Sequence, residues 1–175
     1  MKRAEGNGVL IGVIKKGRDT KMKSVRKKSQ EQENRIAKEL NGGTTPGSGA
    51  VWHSKGDVKA ENYLIEAKYT DEPYYSVALP ILKKIENEAL HENFRIPVLY
   101  VDIQEVRVCL VSEKYISKPD KFVPEHYSST VSSSFRLHKG TCVDSLTKNI
   151  IKGVLSIKGN HFYIMAPEDL DYFCL

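Results

Sequence analysis

Gly56-Asp57-Val58 and, after a short turn, Leu64-Ile65-Glu66-Ala67-Lys68 are the segments on which the reading of this chain turns. Tyr63 to Tyr69 has the composition of a strand, and successive strand residues point to opposite faces. Leu64, Glu66 and Lys68 therefore share one face, and Tyr63, Ile65 and Ala67 the other. A carboxylate and an ammonium project together from a strand whose opposite face is apolar. Val51 to Ala60 reads as the preceding strand, joined by a turn near Glu61-Asn62, which sets Asp57 beside Glu66. Two neighbouring carboxylates repel, and one pKa rises unless a cation intervenes. Oxygen donors of this kind suit Mg²⁺ or Mn²⁺. Taken alone, the three residues fit a solvated charge cluster on a surface hairpin better than a site.

The segment before them shifts the balance. Ser29 to Leu40 reads as a helix, with Ser29 as N-cap, Gln32 at the third position of a capping box, and Asn41-Gly42-Gly43 as the stop. Glu33, Ile36, Ala37 and Leu40 fall on one face of it, while Glu31 and Glu39 point elsewhere. A carboxylate on a core-facing stripe is costly unless it is paired or bound to a metal. The competing reading places Glu33 near the helix start, where the macrodipole favours negative charge.

Further out, Gly42 to Gly49 is a Gly/Thr/Pro/Ser loop, and a second helix is expected over about Ser76 to Asn93, with Pro80 near its start or kinking it. Pro97 to Val101 is a buried-strand run with Val106 to Val111 as its hairpin partner. Beyond residue 112 the pattern weakens. Serines 128, 129 and 132–134 separate short strands, His161 to Met165 reads as a final strand, and Pro167 to Leu170 as a last helical turn. The order implies an α/β fold, a central mixed β-sheet flanked by helices. It divides into a basic N-terminal arm with a short strand (1–28), a core (29–111) and a C-terminal extension packed on the same domain (112–175).

Charge is uneven along the 175 residues. Residues 1–28 hold ten Lys/Arg against Glu5 and Asp19, whereas the remainder has 17 basic and 20 acidic residues, for a net +5 overall. Lys15, Lys16, Arg18, Lys21, Lys23 and Arg26 suit a polyanion such as DNA through counterion release, or form a solvated tail. A membrane surface is disfavoured because Lys15 to Lys28 carries only Met22 and Val25 as apolar residues. Val9 to Ile14 is too short to span a bilayer and reads as a buried strand. Cys109, Cys142 and Cys174 form no metal-ligand spacing, which fits a reducing cytoplasm. Trp52, Tyr74 and Tyr75 are candidates for base stacking, with core packing the expected role of Trp52. The five histidines show no ligand spacing.

Glu33 in a first helix, the Gly47-Ser48-Gly49 loop, Asp57, and Glu66-Ala67-Lys68 together resemble the PD-(D/E)XK nuclease superfamily, and within it archaeal-type and phage Holliday junction resolvases. Ile96-Pro97-Val98-Leu99-Tyr100-Val101 fills the slot of that family's strand after the second helix, so the resemblance covers about residues 29 to 103. Two positions depart from the pattern: Gly56 stands where a proline precedes the Asp, and Asn34 follows Glu33 where the archaeal enzymes commonly carry Arg. The resemblance implies a restriction-endonuclease-like core and a metal-dependent, structure-selective DNA endonuclease cutting Holliday junctions or other branched DNA. A restriction-like or repair nuclease acting on duplex or flap DNA, and an inactive DNA-binding protein of the same fold, are the alternatives. Asp57, Glu66 and the Ala67 carbonyl would hold Mg²⁺ or Mn²⁺, Lys68 would serve the attacking water and Glu33 a second ion, and Ser48 would either meet phosphate or only shape the turn. A homodimer is the expected assembly, because a junction has approximate two-fold symmetry.

Overall fold

The fold follows from one strand that is apolar almost throughout. In the computed structural model, which describes residues 9–46, 56–117, 127–141 and 151–174, with side chains of the first helix from Ser24 onward, β5 (Ile96–Ile103) is buried at every position after Ile96. A strand covered on both faces reads as a continuous apolar run, as Pro97 to Val101 does.

The other strands assemble around it. In chain order they are β1 (Gly43–Thr44), β2 (Val58–Lys59), β3 (Tyr63–Thr70), β4 (Tyr74–Ala78), β6 (Val106–Ser112), β7 (Tyr127–Thr130), β8 (Ser134–His138), β9 (Ile151–Ile157) and β10 (Asn160–Met165). Eight of the ten form one sheet in the order β1-β2-β3-β5-β6-β10-β9-β7, and β4 pairs with β8 in a separate antiparallel ribbon. β3 and β5 are parallel, as are β7 and β9, and the remaining pairs of the large sheet are antiparallel. The parallel β3–β5 step needs a crossover, supplied by α2 (Leu79–His91). This is the α/β architecture expected, a mixed central sheet flanked by helices.

Each face of the sheet has its own core. On one, Ile36 and Ala37 of α1 (Val9–Glu39) cluster with Tyr63, Ile65 and Ala67 of β3, with Val98 and Tyr100 of β5, and with Leu170 and Phe173 of α3 (Leu170–Cys174). On the other, Leu82 of α2 and Val77 and Leu137 of the ribbon cover Leu99, Val101, Leu110 and Phe162. Alternation along β3 thus divides its side chains as the sequence indicates, and Leu64 packs on Ile85 and Ala89 of α2. The segment beyond residue 112 extends the same sheet, because β10 pairs with β6.

Three expectations are corrected. Val9 to Ile14 is helical, part of a 31-residue α1, rather than a strand. A short apolar run does not distinguish strand from helix, and the Lys, Arg, Gln and Met that follow favour helix with no proline to interrupt them. For the same reason Ser29 lies inside α1 instead of capping it, and the boundary expected at residue 29 falls mid-helix. The second helix begins at Leu79 rather than Ser76, since Ser76 to Ala78 belong to β4, and Pro80 sits in its first turn, where no backbone N–H is needed. Residues 51–55 of the strand expected over Val51 to Ala60 lie outside the described residues, and β2 comprises Val58 and Lys59.

A partly buried ion pair helps tie α1 to the sheet. Arg35 bonds Asp102 of β5 at 2.6 Å and the Tyr100 hydroxyl at 3.0 Å. Burial raises the pKa of the Asp102 carboxyl, and the Arg35 charge opposes that rise. Arg35→Met leaves Asp102 buried without its cation and is expected to cost about 2 kcal/mol, below the fully buried case because Arg35 is partly solvated. Arg35→Met combined with Asp102→Leu should recover most of the loss. Urea titrations check this, and an Arg35→Met midpoint equal to wild type would refute it.

Candidate active site

β3 is paired along its length on one side only. Its eight residues all match β5, whereas β2 covers only Leu64 and Ile65 on the opposite edge. Past Ile65 that edge would be bare, and Asp57 fills it. The Asp57 N–H donates to the Ile65 carbonyl at 2.7 Å, and Asp57 Oδ2 accepts from the Ala67 N–H at 2.9 Å. The Asp57 carbonyl accepts from the Thr45 N–H at 2.9 Å, tying in the chain after β1. A side chain thus completes the ladder where the backbone of β2 leaves off.

Gly56 makes this turn possible. Its φ is +64°, and a Cβ there would stand 2.7 Å from Leu64 Cδ1. Proline, with φ fixed near −65°, cannot adopt that conformation, which accounts for the departure from the proline-containing pattern. The Gly56 N–H donates to Glu88 Oε2 on α2 at 3.2 Å.

Glu66 and Lys68 project from the α2-facing side of β3. Lys68 Nζ lies 2.7 Å from Glu66 Oε1, 3.0 Å from the Ala67 carbonyl and 3.7 Å from Asp57 Oδ2. Three oxygens from two elements therefore surround a single ammonium, a cation standing where oxygen donors converge. The Glu66 residue is 7% exposed, so the pair of carboxylates would repel strongly without positive charge nearby. Two carboxylates and a carbonyl are a hard-oxygen set of the kind Mg²⁺ and Mn²⁺ take, completed by water. Among the described residues no three His, Cys, Asp or Glu side chains gather into a metal cluster, so the donor set rests on the backbone oxygen as well.

Glu33 lies on α1, half-buried, and Gln30 Nε2 reaches its Oε2 at 3.4 Å. Its pKa is raised, first by burial and then by the charge of Asp57; Lys68 pulls it down, and Glu66 adds a further upward push. Glu33 thus senses the other three residues through charge.

Several participants were missed by sequence reasoning. Lys84 Nζ is 3.1 Å from Glu66 Oε2 and 3.9 Å from Glu88 Oε1. Lys84 and Glu88 are an i,i+4 pair on α2 in the order least favourable in an isolated helix, the one local hint that tertiary contacts had chosen them. Gln32, 3% exposed, donates from Nε2 to the Lys68 carbonyl at 2.9 Å; it is a buried mid-helix amide rather than a capping-box residue. Burial, and after it the Glu66 charge, push the pKa of the Tyr75 hydroxyl on β4 up to about 12.

Of the expected nucleic-acid contacts, Arg26 is exposed on α1. Lys15, Lys16, Arg18, Lys21 and Lys23 lie along the same helix, with side chains outside the described set, and Ser48 and Trp52 fall outside the described residues. Lys28 is turned back to the body, 2.7 Å from Asp71 and over the Tyr69 ring. No helix among the described residues is long and apolar enough to cross a membrane.

No protein-family model matches the chain, and no curated protein matches its sequence. Among solved structures it is similar to Hjc, a Holliday junction resolvase from the archaeal hyperthermophile Archaeoglobus fulgidus. The TM-score is 0.42 and the identity 12%, over 63% of this chain and 86% of that one.

The Glu33 shift has a consequence for stability. A carboxyl whose folded pKa exceeds its unfolded value stabilises the protein below the unfolded value, near 4.5, and loses that contribution as pH rises through the folded one. Glu33→Gln is therefore expected to be more stable than wild type at pH 7, with the difference shrinking as pH falls through the folded value and gone below about 4.5. Denaturant midpoints across that range check it; a variant less stable at pH 7 would contradict the assignment.

Proposed function

We propose that this chain is a metal-dependent endonuclease that hydrolyses phosphodiesters in DNA. The observation that carries the reading is the convergence of Asp57 Oδ2, Glu66 Oε1 and the Ala67 carbonyl on the Lys68 ammonium at the open edge of β3. Asp57, Glu66 and the Ala67 carbonyl would hold a divalent ion, Mg²⁺ or Mn²⁺, and when bound it would polarise the scissile phosphate. Lys68, released from these oxygens, would orient the attacking water and offset the negative charge growing on the phosphate oxygens. Glu33 would act from α1 on the same ion or, through water, on a second one.

The substrate reading is branched DNA, cut in the manner of a Holliday junction resolvase. It is supported by the spacing of Glu33, Asp57, Glu66-Ala67-Lys68 and the Ile96-Pro97-Val98 strand. The basic stretch of α1 would supply phosphate contacts that hold DNA irrespective of sequence. Two copies about a two-fold axis would place two nicks symmetrically across a junction.

Asp57→Asn, Glu66→Gln and Lys68→Ala are each expected to lower cleavage by about 100-fold or more, with DNA binding retained. EDTA should abolish cleavage by the wild type. Full activity in EDTA, or in any of the three variants, rules out this site.

The substrate assignment has its own test. Four-way junctions should be nicked in paired symmetric positions, with linear duplex of the same sequence largely spared, by a species that sediments as a dimer. Neutralising Lys15, Lys16, Arg18, Lys21 and Lys23 should weaken binding and flatten its salt dependence. Equal cutting of duplex and junction would point to a restriction-like or repair nuclease instead.

A further inference from the structure

Glu66 is held by two lysines, and they are placed differently. Lys68 occupies Oε1 together with the other two oxygens of the cluster, so a cation entering there must displace it. Lys84 occupies Oε2, the other oxygen of the carboxylate, and comes from α2 rather than from β3. Its side chain is 50% exposed, against 9% for that of Glu66. A lysine serving only to hold Glu66 in place gains nothing from such exposure, and its charge would repel a cation arriving a few ångströms away. Glu88 stands beside it, 12% exposed, with one oxygen toward Lys84 and the other on the Gly56 N–H. That contact tethers the half-exposed ammonium between α2, β3 and the Asp57 turn, where it is open to solvent.

We propose that Lys84 is a second phosphate-binding cation of the site, contacting a non-bridging oxygen of the scissile phosphate from the side opposite Lys68. Resting on the nuclease reading, this assigns a catalytic residue beyond the Asp57/Glu66/Lys68 set. With Lys84 on the phosphate, its positive charge is worth most as the two equatorial oxygens gain charge in the transition state. No proton need leave Lys84, and it takes no part in bond making.

The test compares Lys84→Met, which keeps the length of the side chain without its charge, with Lys84→Arg. Titration calorimetry with Mn²⁺ alone reports the cation site. Single-turnover cleavage of a four-way junction and of linear duplex, at saturating Mg²⁺ and DNA, reports chemistry. Lys84→Met should bind Mn²⁺ as tightly as wild type or more tightly, yet cleave about 100-fold more slowly. Lys84→Arg should restore most of the rate, since the charge at the phosphate is what matters. Cleavage by Lys84→Met within about threefold of wild type overturns the proposal. So does loss of Mn²⁺ binding in Lys84→Met, because Lys84 would then act through Glu66. A wild-type protein that binds Mn²⁺ but cuts neither DNA refutes the nuclease reading itself and this assignment with it.

Discussion

Two carboxylates held close together and nearly out of water are the constraint to which the surrounding structure answers. Asp57 is locked to the edge of β3 through its own backbone N–H and through its Oδ2, so it cannot swing away from Glu66. Glu66 is confined in turn by an ammonium on each oxygen. Like charges so restrained store electrostatic free energy that only a cation relieves, and here lysines supply the relief.

The layers around the sheet position this cluster from both sides. From the α1 face, Gln32 fixes the Lys68 carbonyl and Glu33 adds negative potential. From the opposite face, α2 contributes Lys84 and Glu88, and Leu64 seats α2 by packing on Ile85 and Ala89. The left-handed turn at Gly56 lies between them, with Leu64 too near for any side chain there. These contacts restrict the cluster to few geometries, whereas the long side chains of an exposed charge cluster would sample many.

The ion pair between Arg35 and Asp102 gives α1 a fixed rotation against β5, and that rotation aims Gln32 and Glu33. Arg35 also reaches the Tyr100 hydroxyl, so the buried tyrosine of the central strand is satisfied by the same guanidinium. α1 therefore carries structural and site residues on adjacent positions, and a shift of the helix would disturb both.

Much of this was legible in the residues alone. The two-residue period of Tyr63 to Tyr69 determined which β3 side chains face α1 and which face α2, because strand geometry leaves no other choice. The apolar run of β5 determined a doubly covered strand, and together they implied an α/β sheet with Asp57, Glu66 and Lys68 grouped. Local pattern did not determine where α1 begins, since an apolar hexapeptide satisfies helix and strand alike. Nor could it indicate Lys84, Glu88 or Gln32, whose ordinary helical positions gain meaning only from what the sheet brings opposite them. Only tertiary structure placed an α2 lysine 3.1 Å from a β3 carboxylate eighteen residues earlier, because a crossover must return its helix across the face of the strands it joins.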